Sequence, residues 1–376
     1  MAGGVVGALP ADAVLVHVGP HKSGTTAIQA SLHAARDRLP PHGVHLASDE
    51  RHPRAAITEG TGVPALKGER VAGETTWSDL VRAIESRPSA RVVLSSEIFS
   101  DTKLERIPAM LDELGGPRVH VVLTIRALTR ILPSQWQEHL NNRLTMPYDK
   151  WLDELFNQPD GPNARRFWRR HAQDRTLDRW LPVVGPHRVC VVAVSQSRPA
   201  QLLHAFETLL GLPEGLLPAP PRSNPSLSMG AAEVLRLVNV EAKRRGWSDE
   251  RYAEIVRQSL AERLKTRPPA PEDRPLTTPS WALDAAVRRQ AEAFGYIRSS
   301  GVRVVGDLDA LLDEQVESNR RVAHAEGGGD ALEAACDLLQ GLLRRDAPEG
   351  AVDAVSTRRL LQITRDRVIR SVAWRR

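Results

Sequence analysis

The chain has 376 residues, 41% hydrophobic and 26% charged, which is core enough for about two to three domains of roughly 150 residues and excludes a disordered chain. Its net charge of +5 is local: residues 357–376 hold seven Arg and one Asp (+6), the other 356 sum to about −1, and with aromatics at 4% no nucleic-acid-binding surface is expected. No run approaches the ~18 apolar residues of a membrane span, Asp12 breaks the N-terminal apolar run, and Cys190 and Cys336 make neither a disulfide framework nor a zinc cluster, so the expectation is a soluble cytoplasmic protein without an integral-membrane segment.

Val14-Leu15-Val16-His17-Val18 reads as a buried strand ending at Gly19. Ile28, Leu32, Ala35 and Leu39 then recur at helical spacing until Pro40-Pro41 stops the pattern. Gly43–Leu46 suits a short second strand, and residues 50–76 show no period and read as a loop. A helix around Leu80 and Ile84 precedes the strand Arg91–Ser96. Leu104–Leu114 is helical, Gly115-Gly116-Pro117 turns the chain, and Val119–Ile125 is the strongest strand signal. Residues 150–180 read as helical; their arginines (Arg165, Arg166, Arg169, Arg170, Arg175, Arg179) are diluted by Asp174 and Asp178. Val189–Val194 is a further strand. Apolar strands alternating with amphipathic helices predict an α/β fold with a central parallel sheet covered on both faces.

Past residue 210 two Pro-rich stretches, 212–225 and 267–279, flank a helical block at 229–265, and Trp281–Tyr296 suits another helix. Gly327-Gly328-Gly329 marks a joint before helical patterns near 331–345 and 356–374, the last with Leu361, Val368 and Val372 opposite several arginines, as a docking helix with a solvated basic face would have; adhesion to a membrane surface or capture of an anionic acceptor are the alternatives. The expected organisation is an α/β core over 1–215, a helical acceptor-side continuation over 216–305 and a helical basic extension over 306–376.

The chemical signal is Gly19-Pro20-His21-Lys22-Ser23-Gly24-Thr25-Thr26, between a strand and a helix. Loop amides together with a helix N-terminus make a concave phosphate site. Gly19 and Gly24 allow the turn and a close approach, and Thr25 and Thr26 fall in the first helical turn. A nucleotide-hydrolysing phosphate loop reads G-x-x-x-x-G-K-[ST]. Here the glycine spacing is kept, but Thr25 stands at the lysine position and the lysine has moved to Lys22. The candidate strands end in Ser95-Ser96-Glu97 and Thr124-Ile125-Arg126, without the aspartate that holds magnesium in such enzymes.

Pro-x-Lys-Ser-Gly-Thr-Thr after the first strand resembles the 5′-phosphosulfate loop of sulfotransferases that use 3′-phosphoadenosine 5′-phosphosulfate. That family's second signature is an Arg ending a strand with a Ser eight residues on; Arg126 and Ser134 match it, with Pro133 suited to the first position of a helix and Ser134 to its first turn. The resemblance implies a P-loop-like three-layer domain. It assigns the 5′-phosphosulfate to Pro20, His21, Lys22, Ser23, Gly24, Thr25 and Thr26 and the 3′-phosphate to Arg126 and Ser134, with adenosine 3′,5′-bisphosphate as product and no metal. It further implies Lys22 on the leaving phosphate and a His or Glu as general base. Glu97, at the end of the third core strand, is the first choice of base; His21 and then His139 follow, while His17 reads as a satisfied core histidine. No Arg-x-Gly-x-x-Gly run completes the 3′-phosphate site, which places the pattern nearest the divergent bacterial branch; Pro221–Pro225 reads first as a linker, with Arg222 as the alternative contact to that phosphate, and Trp77 reads first as packing, with stacking on adenine as the alternative. The expected activity is transfer to a hydroxyl of a small-molecule or glycan acceptor. The alternatives are a P-loop kinase-like phosphotransferase and a non-catalytic nucleotide-binding protein. Neither the acceptor nor the oligomeric state is fixed by the sequence.

Overall fold

The computed structural model describes residues 7–64, 73–195, 197–198, 200–220, 226–266 and 274–314. The described chain divides into two units. The first, from 7–131, 160–220 and 285–314, is the α/β domain. Its strands are β1 (Val14–Val18), β2 (Val44–Leu46), β3 (Arg91–Ser96), β4 (Val119–Arg126), β5 (Val189–Val194) and β6 (Arg303–Val305). They pair in parallel throughout, in the order β2-β3-β1-β4-β5-β6. Parallel crossovers put helices on both faces, so the inner strands cannot alternate apolar and polar residues. All five positions of β1 are accordingly buried.

The two faces divide by strand position, as a period of two requires. Leu15, Val93, Val122 and Val192 pack under α1 (Thr25–Ala35) and, later in the chain, Ala200–Leu210, through Ile28, Leu32, Leu202 and Phe206. Val14, Val16, Leu94, Val121 and Val191 face the opposite layer. That layer contains α3 (Trp77–Glu85), which follows α2 (Arg54–Thr61), then α4 (Ile107–Glu113) and two elements nearer the C-terminus, Gln173–Val184 and the second half of Ser280–Ser299. The expected three-layer α/β architecture with a central parallel sheet is therefore present, together with a helical portion.

The second unit, described by itself, takes 132–159 and 226–284. It contains most of α5 (Leu128–Asn141), α6 (Tyr148–Asn157), and, after α7 (Pro162–His171), α8 (Gln173–Val184) and α9 (Ala200–Leu210) of the first unit, α10 (Met229–Arg244). A helical run follows as α11 (Asp249–Tyr252), a π-type segment Ala253–Leu260 and α12 (Ala261–Thr266), before α13 (Ser280–Ser299) opens. Its interior is aromatic, with the rings of Trp136, Tyr148 and Trp151 within 6.0 Å of their neighbours. The buried Asn239 amide donates to Leu140 O and Leu144 O at 2.7 and 2.8 Å.

Four expectations change. Residues 54–61 form a helix rather than a loop, and the α1 helix ends at Ala35, with 3₁₀ turns continuing to His42. The sheet does not close by residue 215, because β6 pairs with β5 through Cys190–Arg303 and its neighbours. Pro133 lies inside α5, which starts at Leu128 directly after β4. The start is set elsewhere in the chain: Leu128 N–H donates to the Gln290 side chain at 2.7 Å. Ser134 therefore stands in the second helical turn, away from the orphan N–H groups of the first. Among the described residues no helix is long and apolar enough to cross a membrane. Arg222 and the whole basic extension past residue 314 lie outside the described residues.

Candidate functional site

The bend between β1 and α1 is shaped by its backbone. Lys22 adopts φ 68° and Gly24 φ 96°, so two left-handed residues flank Ser23. Such alternation turns successive N–H groups toward one concave side. For a lysine the left-handed region costs of order 1–3 kcal/mol and persists only where surroundings impose it. Three contacts do so here. Ser23 donates its hydroxyl to Pro20 O at 2.7 Å, Ser23 N–H also reaches Pro20 O at 3.1 Å, and Arg126 Nη1 donates to Lys22 O at 3.2 Å. A Cβ at Gly19 would come within 2.1 Å of Thr25 Oγ1, and one at Gly24 within 2.7 Å of Leu202 Cδ2. A side chain at Gly19 would displace the Thr25 hydroxyl that anchors the helix start, and at Gly24 the positive φ disfavours any side chain.

Gly24 is also the N-cap of α1, and no side chain caps that helix end. No acidic residue sits in its first turn. The positive end of the helix is thus not neutralised by a capping side chain or by an acidic residue of its first turn. Thr25 is buried and donates to Gly19 O at 3.1 Å, which ties the helix to the start of the bend; Thr26 is the exposed hydroxyl of the pair.

The strand order places this bend at the carboxyl edge of the sheet, between its two halves. From β1 the chain runs toward β2 at one edge, and from β4 toward β5 on the other side. The carboxyl ends of adjacent β1 and β4 therefore flank a topological switch point, the position where open α/β sheets bind ligands. Arg126 ends β4, and its guanidinium reaches the bend as described above. Burial, followed by the neighbouring Arg130, pulls Arg126 below its ordinary value. Gln173 holds it from behind by donating to Arg126 O at 2.7 Å.

Glu97 opens a 3₁₀ turn, Glu97–Asp101, directly after β3. Its Oε1 accepts from Arg54 Nη1 at 2.9 Å. Arg170 Nε donates to Asp101 at 2.9 Å in a pair less than one-tenth exposed on either side, and Arg179 Nη2 donates to Ser100 O at 2.6 Å. Arg170 of α7 and Arg179 of α8 thus hold the turn, while Arg165, Arg169 and Arg175 of the same helices are exposed. His21 is half-buried; burial first, then Arg170, Lys22, Arg54 and Arg166, drive its imidazole well below the ordinary histidine range. It is a neutral imidazole in a positive setting.

The remaining candidates have surroundings of their own. Trp77 is buried with its ring over Gly60, where a Cβ would lie 2.1 Å away, so it is packing and offers no stacking face for adenine. His139 and Ser134 lie in the second unit, where His139 sits edge-on to Trp151 at 5.8 Å. His17 is fully buried with both ring nitrogens bonded, the satisfied core histidine the sequence suggested. Missed by the sequence were Arg54, which pairs with Glu97, and the buried Thr124, which touches Ser23 and His17. A shallow cleft beside Ser95 is lined by Gln29, His33, Ser48, Glu50 and Arg51.

Comparison with known proteins supplies no relative: no family model matches the chain, and no curated protein or solved structure matches it.

Proposed function

We propose that the chain is a sulfotransferase that moves a sulfuryl group from 3′-phosphoadenosine 5′-phosphosulfate to a hydroxyl of a small-molecule or glycan acceptor. One observation carries the reading. An uncapped helix end, a bend with Lys22 held left-handed and the strand-ending Arg126 meet at the switch point of the sheet. Two anion-directed devices on neighbouring strands suit a nucleotide with phosphates at both ends.

In this reading residues 20–26 take the 5′-phosphosulfate through loop amides and the Thr26 hydroxyl, and Arg126 takes the 3′-phosphate. Ser134 and Arg222 do not carry the reading, since one lies in the other unit and the other outside the described residues. Lys22 neutralises the charge that develops on the bridging oxygen as the sulfur–oxygen bond breaks, and the bond to the acceptor oxygen forms in the same step. Removing one such preorganised donor costs ~10²–10³ in rate. Glu97 accepts the acceptor's proton, with Arg54 fixing the carboxylate's orientation; a positioned base contributes ~10²–10⁴. His21 suits that role less well, because an imidazole with so acidic a conjugate acid is a weak base.

Calorimetry with adenosine 3′,5′-bisphosphate and a radiolabelled-sulfate transfer assay over a panel of phenols, alcohols and glycans test the proposal. Binding of the bisphosphate and transfer to a panel member are the expected results. Activity that depends on ATP and magnesium, or no affinity for the bisphosphate, would overturn it.

A further inference from the structure

We infer that a one-directional hydrogen-bond chain, Ser95 to His17 to Thr124 to Ser23 to Pro20, holds the bend in its anion-ready shape, with His17 a positioning residue locked as the neutral Nε2–H tautomer. The direction follows from valence. A carbonyl only accepts, so the 2.7 Å contact between Ser23 Oγ and Pro20 O uses the only hydroxyl proton Ser23 has. In its 2.7 Å contact with Thr124 Oγ1, Ser23 must then accept, and Thr124 spends its own proton. The 3.1 Å contact between Thr124 Oγ1 and His17 Nε2 consequently requires a hydrogen on Nε2. A neutral imidazole protonated there presents a lone pair at Nδ1, which takes the Ser95 hydroxyl at 2.8 Å. Each link fixes the next, starting from one carbonyl.

The chain crosses three adjacent strands, β3, β1 and β4, and reaches Pro20 O through Ser23, the residue between the two left-handed positions Lys22 and Gly24. His17 is fully buried, with Phe206 edge-on to its ring at 4.9 Å, so no water replaces a lost partner without a cavity. Buried polar networks are rigid when every member is satisfied and costly when one is not. The chain thereby supplies part of what holds Lys22 in its strained conformation. Its consequence for donor binding rests on the functional reading above; its existence does not.

Thr124→Val removes the central link without changing side-chain volume much, and Thr124→Ser retains it. In ¹⁵N-histidine spectra the native protein is expected to show His17 as the Nε2–H tautomer, a signature lost in Thr124→Val and kept in Thr124→Ser. Amide hydrogen exchange over residues 21–26 is expected to rise at least about tenfold in Thr124→Val, as the loss of the hydroxyl's two buried hydrogen bonds implies, and to return in Thr124→Ser. A fall of similar size in affinity for adenosine 3′,5′-bisphosphate is expected alongside. A hydrogen on Nδ1, or unchanged exchange over the bend in Thr124→Val, overturns the inference. Failure of the native protein to bind the bisphosphate sinks only the sulfotransferase reading, because tautomer and exchange are read without nucleotide.

Discussion

Two turns stand at the carboxyl edge of the same sheet, and they are held by different physics. The bend 19–24 after β1 is shaped mainly by its backbone, with crowded glycines, two left-handed residues and hydroxyls bonded to the bend itself, and it is braced from the sheet by Arg126 and Thr124. The turn Glu97–Asp101 after β3 also has hydroxyls bonded within it, Ser100 to Glu97 O and Ser96 as cap, but its charged side chains are held by arginines from α2 and α7, with a third from α8 on its backbone. A ligand read through amides needs a fixed backbone, whereas a proton acceptor needs one carboxylate kept in place. The difference suits the proposed reading, in which the bend binds the donor and the turn carries the proton acceptor.

That division makes opposite demands on substitution. The largest effect is expected from Glu97→Gln, which keeps the side chain's shape but cannot accept a proton: turnover falls by ~10²–10⁴ while affinity for adenosine 3′,5′-bisphosphate stays within about twofold. Full turnover in this variant would remove Glu97 from the mechanism and with it the chemical half of the contrast. Lys22→Ala should lower transfer by ~10²–10³ and, unlike the first variant, weaken the bisphosphate as well. Steady-state transfer assays and calorimetry on the pair separate the two roles.

Arg170→Leu addresses how the turn is held. It leaves the Asp101 carboxylate buried beside an aliphatic chain, and breaking a buried pair on one side costs ~3–5 kcal/mol. Urea unfolding should show that loss, and Asp101→Leu combined with Arg170→Leu should recover most of it. If the single variant is as stable as the native protein, the turn does not depend on its arginines.

The same contrast explains how much the sequence discloses. Strands β1, β3, β4 and β5 are legible because burial on both faces writes them as runs of Val and Leu, and the bend is legible because a backbone site announces itself in glycines. Helix α2 is missed because its buried face is made of small residues, Ala56, Gly60 and Thr61 beside Ile57, which give little periodicity. Strand β6 has only three residues. Side-chain pairing is the least legible: Arg54 meets Glu97 across 43 residues and Arg170 meets Asp101 across 69. Pro133 misleads for a related reason. Local chemistry offers it as a helix start, while the start is fixed by Gln290, 162 residues beyond Leu128. A proline inside α5 leaves one backbone carbonyl without its helical donor, a local cost that tertiary contacts outweigh.

The smallest predicted effect concerns acid, and it separates the bend's support from the turn's. Burial lowers the His17 imidazole from an ordinary 6.5 to about 3. Below pH 6.5 the unfolded chain takes up a proton at this residue and the folded chain does not, so the unfolded state binds more protons and stability falls as the pH drops toward 3. Above pH 6.5 the contribution is complete. The slope approaches about 1.4 kcal/mol per pH unit, or roughly 2 kcal/mol lost between pH 6.5 and pH 5 from this one group. His21 shifts in the same direction and steepens the native curve, but it is also present in His17→Gln, so the difference between the two proteins isolates His17. Urea midpoints at pH 7, 6 and 5 should converge for native protein and His17→Gln as the pH falls, since the variant has nothing to protonate at that position. Curves that stay parallel would mean that His17 is charged or reached by water in the folded state, and that the bend is not supported by a dry, neutral relay.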